Sequence, residues 1–340
     1  MGRFGSASAA LEALPTLARR GGRRVPIRIC SHEQAERELE SAAALAAHPL
    51  TLGEADYPAR LAAIADPPPV IYVRGDPDML MRSSVAVVGA RNASAAGVRF
   101  ARELAGGLGA AGLMVTSGFA RGIDTAAHSG AVDTGTVAVL AGGVDNIFPP
   151  ENQDLYDAIV AQGAVISEMP PGTVPKARHF PRRNRLVAGL AFGVVVVEAA
   201  FRSGSLITAR LALEQGREVF AVPGSPLDPR CRGSNGLIRQ GAVLTETADD
   251  VLAVVSPMLT GYRADPDNRP VMASEETLAE VADVDTSRAH IVAMLSPTPV
   301  AVDEIIRLSK LTASVVLTIL LELELAGKLV RHPGNRVSTP

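Results

Sequence analysis

Short apolar runs alternate with Ala-rich stretches of helical spacing through the middle of the chain, from about residue 85 to residue 255. The runs have the length and the Val-rich composition of buried strands, at residues 85–88, 113–116, 137–140, 164–167, 194–197, 219–222 and 243–245. The stretches between them predict helices near residues 95–111, 122–130, 152–162, 183–190, 204–216 and 247–255. Strands that are apolar on both faces and alternate with helices pair in parallel, so the pattern predicts an α/β fold with a doubly wound parallel sheet.

The segments before and after this region have other patterns. Helical spacing at residues 8–14 and 33–47, interrupted by Gly21-Gly22, predicts short helices within residues 1–48. Residues 50–73 contain Pro58 and the triplet 67–69, which predict an extended linker without helix. Residues 256–285 are polar and acidic and are expected to form a flexible tether.

A last compact unit is predicted over residues 286–340. Helical spacing at 289–295, 302–308 and 312–326, followed by a basic hairpin-like tail, gives the outline of a winged helix. The last helix has no Lys or Arg between Leu311 and Gly327, whereas it contains Glu322 and Glu324. A helix that enters the major groove brings cations, so a transcription factor is disfavoured and a protein-docking role is favoured for this unit.

Composition narrows the class of protein. The chain has 340 residues, of which 47% are hydrophobic, enough for several domains; the pattern divides it at 1–48, 49–255, 256–285 and 286–340. We expect no membrane association, because no apolar run approaches the roughly 18 residues of a membrane helix. Cys30 and Cys231 lie too far apart for a CxxC motif, and a reducing cytoplasm is the expected location.

Charge is distributed unevenly, although the formal net charge is only −3. The densest basic segment runs from residue 176 to residue 185 and contains Phe180. Cations interleaved with an aromatic ring are typical of single-stranded nucleic-acid binding, in which charges contact phosphates and the ring stacks on a base. A solvated basic turn is an equally good interpretation of this segment alone. Its predicted binding residues are Lys176, Arg178, Phe180, Arg183, Asn184 and Arg185.

Glycine, hydroxyl residues and arginine follow three of the predicted strands. Because the carboxyl ends of parallel strands meet at one edge of a sheet, where such folds bind ligands, these loops are expected to converge. Arginine stands where a dinucleotide loop would have its second glycine, so the loops favour a phosphorylated ligand over a dinucleotide cofactor. The residues concerned are Arg91, Ser94, Ser117, Gly118, Arg121, Gly122, Ser203, Gly204, Ser205 and Thr208.

Catalytic chemistry finds little support in the sequence. Asp124 and His128 stand one helical turn apart and are expected to form a structural acid–imidazole pair, since a third metal ligand is missing. No GxSxG elbow precedes the predicted helix at 204–216. We therefore predict no catalytic residue, no metal site and no cofactor.

Several of these segments resemble, in order, the motifs of the DNA-processing protein A family (DprA, also called Smf). They include GARNASAAG at 89–97, SGFARGID at 117–124, GGVDNIFPPEN at 142–152, HFPRRNRLVAGL at 179–190 and VVVVEAAFRSGSLITA at 194–209. The resemblance implies an extended Rossmann-like domain that binds single-stranded DNA, forms homodimers and loads the RecA recombinase in natural transformation and recombination.

The resemblance also implies roles for individual residues. Arg91 and Ser94 would grip phosphate beside Gly118, Arg121 and Gly122, while Phe180 would stack on a base. The cations at 176, 178, 183 and 185 would line the groove, and residues 203–208 would close it. The N-terminal helices would form a SAM or helix-hairpin-helix-like domain, of which residues 1–48 match only the second half.

One alternative is an enzyme, a nucleotide phosphoribohydrolase of the lysine-decarboxylase-like (LOG) family, which has a similar scaffold. Glu198 and the glycine loops would then serve glycosidic hydrolysis. The PGGxGT loop of that family is absent, because Pro223-Gly224 is followed by Ser225-Pro226. Release of free base from a nucleoside monophosphate distinguishes the two hypotheses.

Overall fold

The chain forms two compact units in a computed structural model, which describes Phe4 and residues 6–261, 284–332 and 334–340. One unit is His32–Ala264 and the other combines Met1–Ser31 with Asp265–Pro340. The N-terminal helix α1 (Ala7–Arg20) therefore belongs to the same unit as the C-terminal residues, whereas α2 (His32–Ala44) belongs to the larger unit. This division differs from the predicted single N-terminal segment 1–48.

The larger unit alternates strands and helices, as predicted. Its strands are β1 (Ala47–Thr51), β2 (Val70–Gly75), β3 (Ser84–Val88), β4 (Met114–Ser117), β5 (Thr136–Val139), β6 (Ala164–Ser167), β7 (Gly193–Val196), β8 (Glu218–Ala221) and β9 (Val243–Leu244). Its further helices are α3 (Ala59–Ala62), α4 (Ala95–Ala110), α5 (Ile123–Ala131), α6 (Gln153–Gln162), α7 (His179–Leu190), α8 (Gly204–Glu214), α9 (Arg232–Arg239) and α10 (Ala248–Gly261). Every predicted strand is present within one residue of its expected bounds.

Within the described residues the strands form one nine-stranded sheet in the order β1-β2-β6-β5-β4-β3-β7-β8-β9. Pairing is parallel from β6 to β9, which confirms the doubly wound α/β sheet. Strands β4, β5 and β6 follow one another on one side of β3, and the chain then crosses to β7 on the other side of β3, where Val88 pairs with Val196. The crevice between the carboxyl ends of β3 and β7 is therefore the switch point of the sheet, where open α/β folds bind ligands.

The structure corrects the prediction of an extended linker at residues 50–73. The end of β1, helix α3 and the start of β2 occupy this segment, and β1 and β2 extend the sheet by antiparallel pairing. Pro58 stands at the N-cap of α3, where proline does not break a helix, and Pro49 lies on the edge strand β1. Proline is disfavoured in the interior of a helix and in a central strand, and neither Pro58 nor Pro49 occupies such a position.

Alternate residues of the central strands contribute to two separate cores. Val88, Val194 and Val196 belong to one core, whereas Val87 and Val195 belong to the other. Successive strand side chains point to opposite faces, so the continuous apolar runs bury both faces of the sheet under helices. This packing fixes the strand ends that carry the loops of the site.

The smaller unit has the predicted winged-helix order. Helices α11 (Val284–Met294), α12 (Val302–Ser309) and α13 (Ala313–Leu325) accompany a three-stranded sheet of β10 (Val300–Ala301), β11 (Val330–His332) and β12 (Arg336–Ser338). Glu322 is buried in α13 and pairs with Arg288 at 2.7 Å. Within this unit α1 packs on α13, and Arg23 Nη1 donates to the Leu325 carbonyl oxygen at 2.9 Å.

The predicted tether at 256–285 begins too early, because α10 continues to Gly261. Apolar residues of this helix, such as Val255 and Met258, pack in a core of the sheet, and the helix therefore extends beyond the predicted boundary at residue 255. Residues 262–283 of the tether lie outside the described residues. No helix in the described ranges is long and apolar enough to cross a membrane.

Candidate nucleic-acid interface

A groove of about 760 Å³ opens at the switch point of the sheet. The loop after β3, the loop after β4, the N-terminal half of α7 and the start of α8 form its walls. Lining residues include Arg91, Asn92, Gly118, Asp124, Phe180, Arg183, Asn184, Arg202, Ser203, Gly204, Ser205, Thr208 and Arg230. We refer to this cavity as the groove. The predicted convergence of the strand-end loops is therefore observed.

Helix α7 presents one of its faces to the groove. It begins at His179, four residues earlier than the predicted start near residue 183, because Pro181 in the first turn is compatible with a helix. Phe180, Arg183, Asn184 and Val187 line the groove and follow the i, i+3, i+4, i+7 spacing of one helix face. The basic segment is thus largely helical, and its cations point in different directions.

Phe180 lies beside a cation and a second ring. The guanidinium carbon of Arg91 is 5.2 Å from the centroid of the Phe180 ring, within the range of a cation–π contact. Phe148 meets the same ring edge-on, with centroids 5.8 Å apart. Phe180 is half-buried, so part of the ring surface remains available to a base. Phe148 was missed by sequence analysis, which weighed only rings inside the basic segment.

Exposed cations surround the groove. Arg91 and Arg202 line it, and Lys176 and Arg178 stand on either side of Ala177, which also lines it. Among the described residues, none of these four side chains has an ion pair with an acid shorter than 4.0 Å. Arg230 also lines the groove but pairs with Asp228 at 2.7 Å. Arg202 and Arg230 were not predicted, although Arg202 stands inside the motif at 194–209.

The start of α8 provides hydroxyl groups on the opposite wall. Ser203 is the N-cap of α8, and its side-chain oxygen accepts from the Ser205 backbone nitrogen. The hydroxyl oxygens of these two serines are 2.7 Å apart. Asn184 Nδ2 lies 3.4 Å from the Gly204 carbonyl oxygen and connects the two walls. The predicted hydroxyl cluster therefore lines the groove at a helix N-terminus, which favours anions.

Arg183 and Asp124 are both buried at the base of the groove, where both side chains lie against Gly118. Burial raises the pKa of Asp124 to about 6, and the attraction of Arg183 opposes this shift. Burial likewise lowers the pKa of Arg183 to about 10, so the guanidinium stays charged at neutral pH. Its Nη1 donates to the carbonyl oxygens of Gly118 and Val139. Arg183 thus anchors α7 to the sheet, and its side chain also lines the groove.

The structure also corrects the predicted pair of Asp124 and His128. The Asp124 carboxylate accepts from the backbone nitrogen of Ala120, whereas His128 Nδ1 lies 2.8 Å from Thr136 Oγ1. His128 is fully buried, and burial together with nearby Arg183 lowers its pKa to about 3. The neutral imidazole belongs to the core, so the predicted acid–imidazole pair is wrong.

Three predicted binding residues lie away from the groove. Arg185 is buried and pairs with Glu168 and Asp66, because two positions along a helix turn a side chain away from the face of Arg183. Ser117 is buried in β4 and donates to the Val87 carbonyl oxygen at 2.6 Å. Ser94 bonds to the Glu198 carboxylate and lines a separate cavity of about 380 Å³.

Arg121 and Gly122 lie in the loop after β4, and the structure gives them different roles. Arg121 is exposed, but its Nε and Nη2 both donate to the carboxylate of Glu151. Gly122 has φ +78°, and a Cβ there would lie 2.3 Å from the Ala90 carbonyl oxygen. Gly122 therefore serves the close approach of two loops, and Arg121 faces an acid of the chain itself.

The fold and the groove define a Rossmann-like protein that presents cations and a half-buried aromatic ring at its switch point. The family model described as DNA recombination-mediator protein A matches residues 48–256. Models for the DprA winged helix domain and the DprA-like N-terminal HHH domain match residues 275–335 and 1–41. The chain belongs to the DNA recombination-mediator protein A family, as the sequence motifs predicted.

Several known proteins are similar to this chain over most of their length. Protein Smf of Escherichia coli is 39% identical over 83% of this chain and 74% of its own. DNA processing protein DprA of Streptococcus pneumoniae is 46% identical over 58% of this chain and 70% of its own. The X-ray structure of the S. pneumoniae protein superposes with a TM-score of 0.64 at 38% identity, covering 71% of this chain and 86% of that one.

A second structural relative is DNA processing protein A of Helicobacter pylori, described as having a unique single-stranded DNA binding mode. It superposes with a TM-score of 0.56 at 28% identity and covers 63% of this chain and 97% of its own. These relatives do not favour the phosphoribohydrolase alternative. Glu198, which that hypothesis required beside the ligand, is buried and bonded to Ser94.

Proposed function

We propose that the protein is a single-stranded DNA-binding recombination mediator. The observation that carries the proposal is the groove, where Arg91 and Phe180 lie side by side at the switch point. Exposed cations would contact the phosphates, and the ring would stack on a base, which is how proteins bind single strands without reading their sequence. Membership of the family, and a relative described by its single-strand binding, support the same function.

Fluorescence anisotropy with a labelled oligo-dT and its duplex, each across a salt series, tests the proposal. Four exposed cations at the groove predict a slope of log K against log salt of about −3 for the single strand. Raising salt from 50 to 200 mM should then weaken binding by about 10². We expect weaker binding of the duplex, because paired bases are not free to stack on Phe180. No single-strand binding at 50 mM salt would refute the proposal.

The remaining parts of the proposal concern partners and location. We propose that the protein protects incoming single strands in natural transformation, loads RecA onto them, forms a homodimer through the Rossmann-like domain, and acts in the cytoplasm. The support is the family to which the chain belongs. RecA filament formation on oligo-dT with and without the protein tests loading, and sedimentation velocity tests the dimer. Assay of free-base release from nucleoside monophosphates tests the enzymatic alternative.

A further inference from the structure

Glu198 stands two residues after the end of β7, and the intervening Val197 is bonded to Val88 of β3, yet Glu198 is only 6% exposed. Its Oε1 accepts a hydrogen bond from Ser94 Oγ at 2.5 Å, and its Oε2 accepts one from the Ser94 backbone nitrogen at 2.9 Å. Ser94 is the N-cap of α4. The carboxylate therefore lies at the positive end of a helix of 16 residues.

The first turn of α4 is built around this carboxylate. The Gly97 backbone nitrogen donates to Ser94 Oγ at 2.9 Å, so one hydroxyl connects the helix to Glu198. A Cβ at Gly97 would lie 2.7 Å from both Cδ and Oε1 of Glu198. Glycine at this position lets the helix approach the carboxylate.

The same place in the fold has another use in dinucleotide-binding Rossmann proteins, where the N-terminus of the first helix binds a pyrophosphate. Here a carboxylate from the neighbouring strand end satisfies the Ser94 donors. A phosphate could reach α4 only by displacing Glu198. The phosphates of a ligand would then bind in the groove, which is lined by the earlier part of the same loop, residues 89–92.

That loop is held at both ends. The Ala90 carbonyl oxygen accepts from the Ile123 backbone nitrogen at 3.2 Å, and Ser94 is bonded to Glu198. Arg91 lies between these two attachments, with its guanidinium beside Phe180 in the groove. Releasing Ser94 would free the segment that carries Arg91.

We propose that Glu198 is a positioning residue for the groove: its carboxylate is the resident anion of the α4 N-terminus and holds residues 90–94 so that Arg91 faces the bound strand. This inference rests on the proposed single-stranded DNA binding. Glu198 acts through the loop and does not contact the strand.

Chemical rescue tests the proposal. The Glu198→Ala variant leaves a space that matches acetate, so oligo-dT binding is measured in sodium acetate and in sodium chloride at equal ionic strength. We expect this variant to bind about tenfold more weakly than wild type in chloride, as for loss of one charged hydrogen bond to phosphate. Acetate should restore most of the affinity, whereas wild type should bind equally in the two salts.

Three further variants make the result specific. Glu168→Ala removes another buried carboxylate of the same unit, and its affinity should not differ between acetate and chloride. Glu198→Gln keeps the size and one acceptor and should fall between wild type and Glu198→Ala. Combining Glu198→Ala with Arg91→Ala should cause no more loss than Arg91→Ala alone, because residues that act through one another are not additive.

The inference is overturned if Glu198→Ala binds as tightly as wild type, or if acetate and chloride give the same loss. Amide hydrogen exchange of residues 89–97 without DNA separates this inference from the proposed function. We expect faster exchange in Glu198→Ala in chloride and protection restored by acetate. Equal exchange in all samples overturns the positioning role, whereas a wild-type protein that binds no single strand refutes only the proposed function.

Discussion

The guanidinium carbon of Arg91 lies 5.2 Å from the centre of the Phe180 ring, although 89 positions separate the two residues in the sequence. Arg91 belongs to the loop after β3, and Phe180 belongs to the first turn of α7. Both line the groove at the switch point. We propose that a nucleotide at this point places a phosphate against the cation while its base stacks on the ring.

Phe180→Ala should weaken oligo-dT binding by about 1–3 kcal/mol, because a base would lose its stacking partner. Anisotropy with labelled oligo-dT at fixed salt measures the change. Leu227→Ala is the matched control, since Leu227 is 90% exposed and is not a groove residue. Unchanged affinity in Phe180→Ala, with normal thermal unfolding, would show that the ring only packs against Phe148.

Glu151→Gln should strengthen single-strand binding about two- to fivefold, the range of an exposed ion pair. Glu151 pairs with Arg121, and the substitution releases this cation to contact a phosphate. Glu214→Gln, which removes the same charge from an exposed pair with Arg210, is the control and should have a smaller effect. Equal gains in both variants would assign the effect to net charge alone.

Arg185→Ala should affect the stability of the fold, whereas Lys176→Ala should affect the salt dependence of binding. Loss of Arg185 leaves buried Glu168 with one fewer partner and should lower the free energy of unfolding by about 3 kcal/mol, with no change in the salt slope. Loss of exposed Lys176 should leave stability unchanged and reduce the magnitude of the slope by about 0.7. Chemical denaturation and anisotropy across a salt series measure the two quantities. A reduced slope in stably folded Arg185→Ala would contradict its position outside the groove.

Asp124 should make stability depend on pH. Its pKa is raised to about 6, from 3.8 in the unfolded chain, chiefly by burial and against the attraction of Arg183. A carboxyl with a raised pKa in the folded state stabilises the fold fully below pH 4, and this contribution is lost as pH rises through 6. The expected loss is about 3 kcal/mol.

Denaturant unfolding of wild type and Asp124→Asn between pH 4 and 7.5 measures this contribution. The difference in unfolding free energy, wild type minus variant, should fall as pH rises, because other titrating groups contribute equally to both proteins. Asp133→Asn, which removes the same charge at an exposed position, is the control substitution. A constant difference for Asp124→Asn would contradict the raised pKa.

The hydrophobic pattern by itself determined the parallel sheet. Strands such as β6 and β7 are buried on both faces, so their sequences are continuously apolar and short, and the helices between them follow a different period. The same pattern determined which loops meet, because parallel strands place all their carboxyl ends at one edge. That is why residues as distant as Gly118 and Ser203 could be assigned to one site before their positions were known.

Tertiary structure alone decided which polar side chains line the groove and which hold the fold together. Arg183 and Arg185 are two residues apart, yet the turn of α7 places one at the groove and the other against Glu168. Ser94 lies in a loop whose sequence is typical of phosphate binding. In the structure, however, its hydroxyl donates to Glu198, which follows a neighbouring strand. Sequence spacing describes one element at a time, whereas a partner from another element depends on how the elements pack.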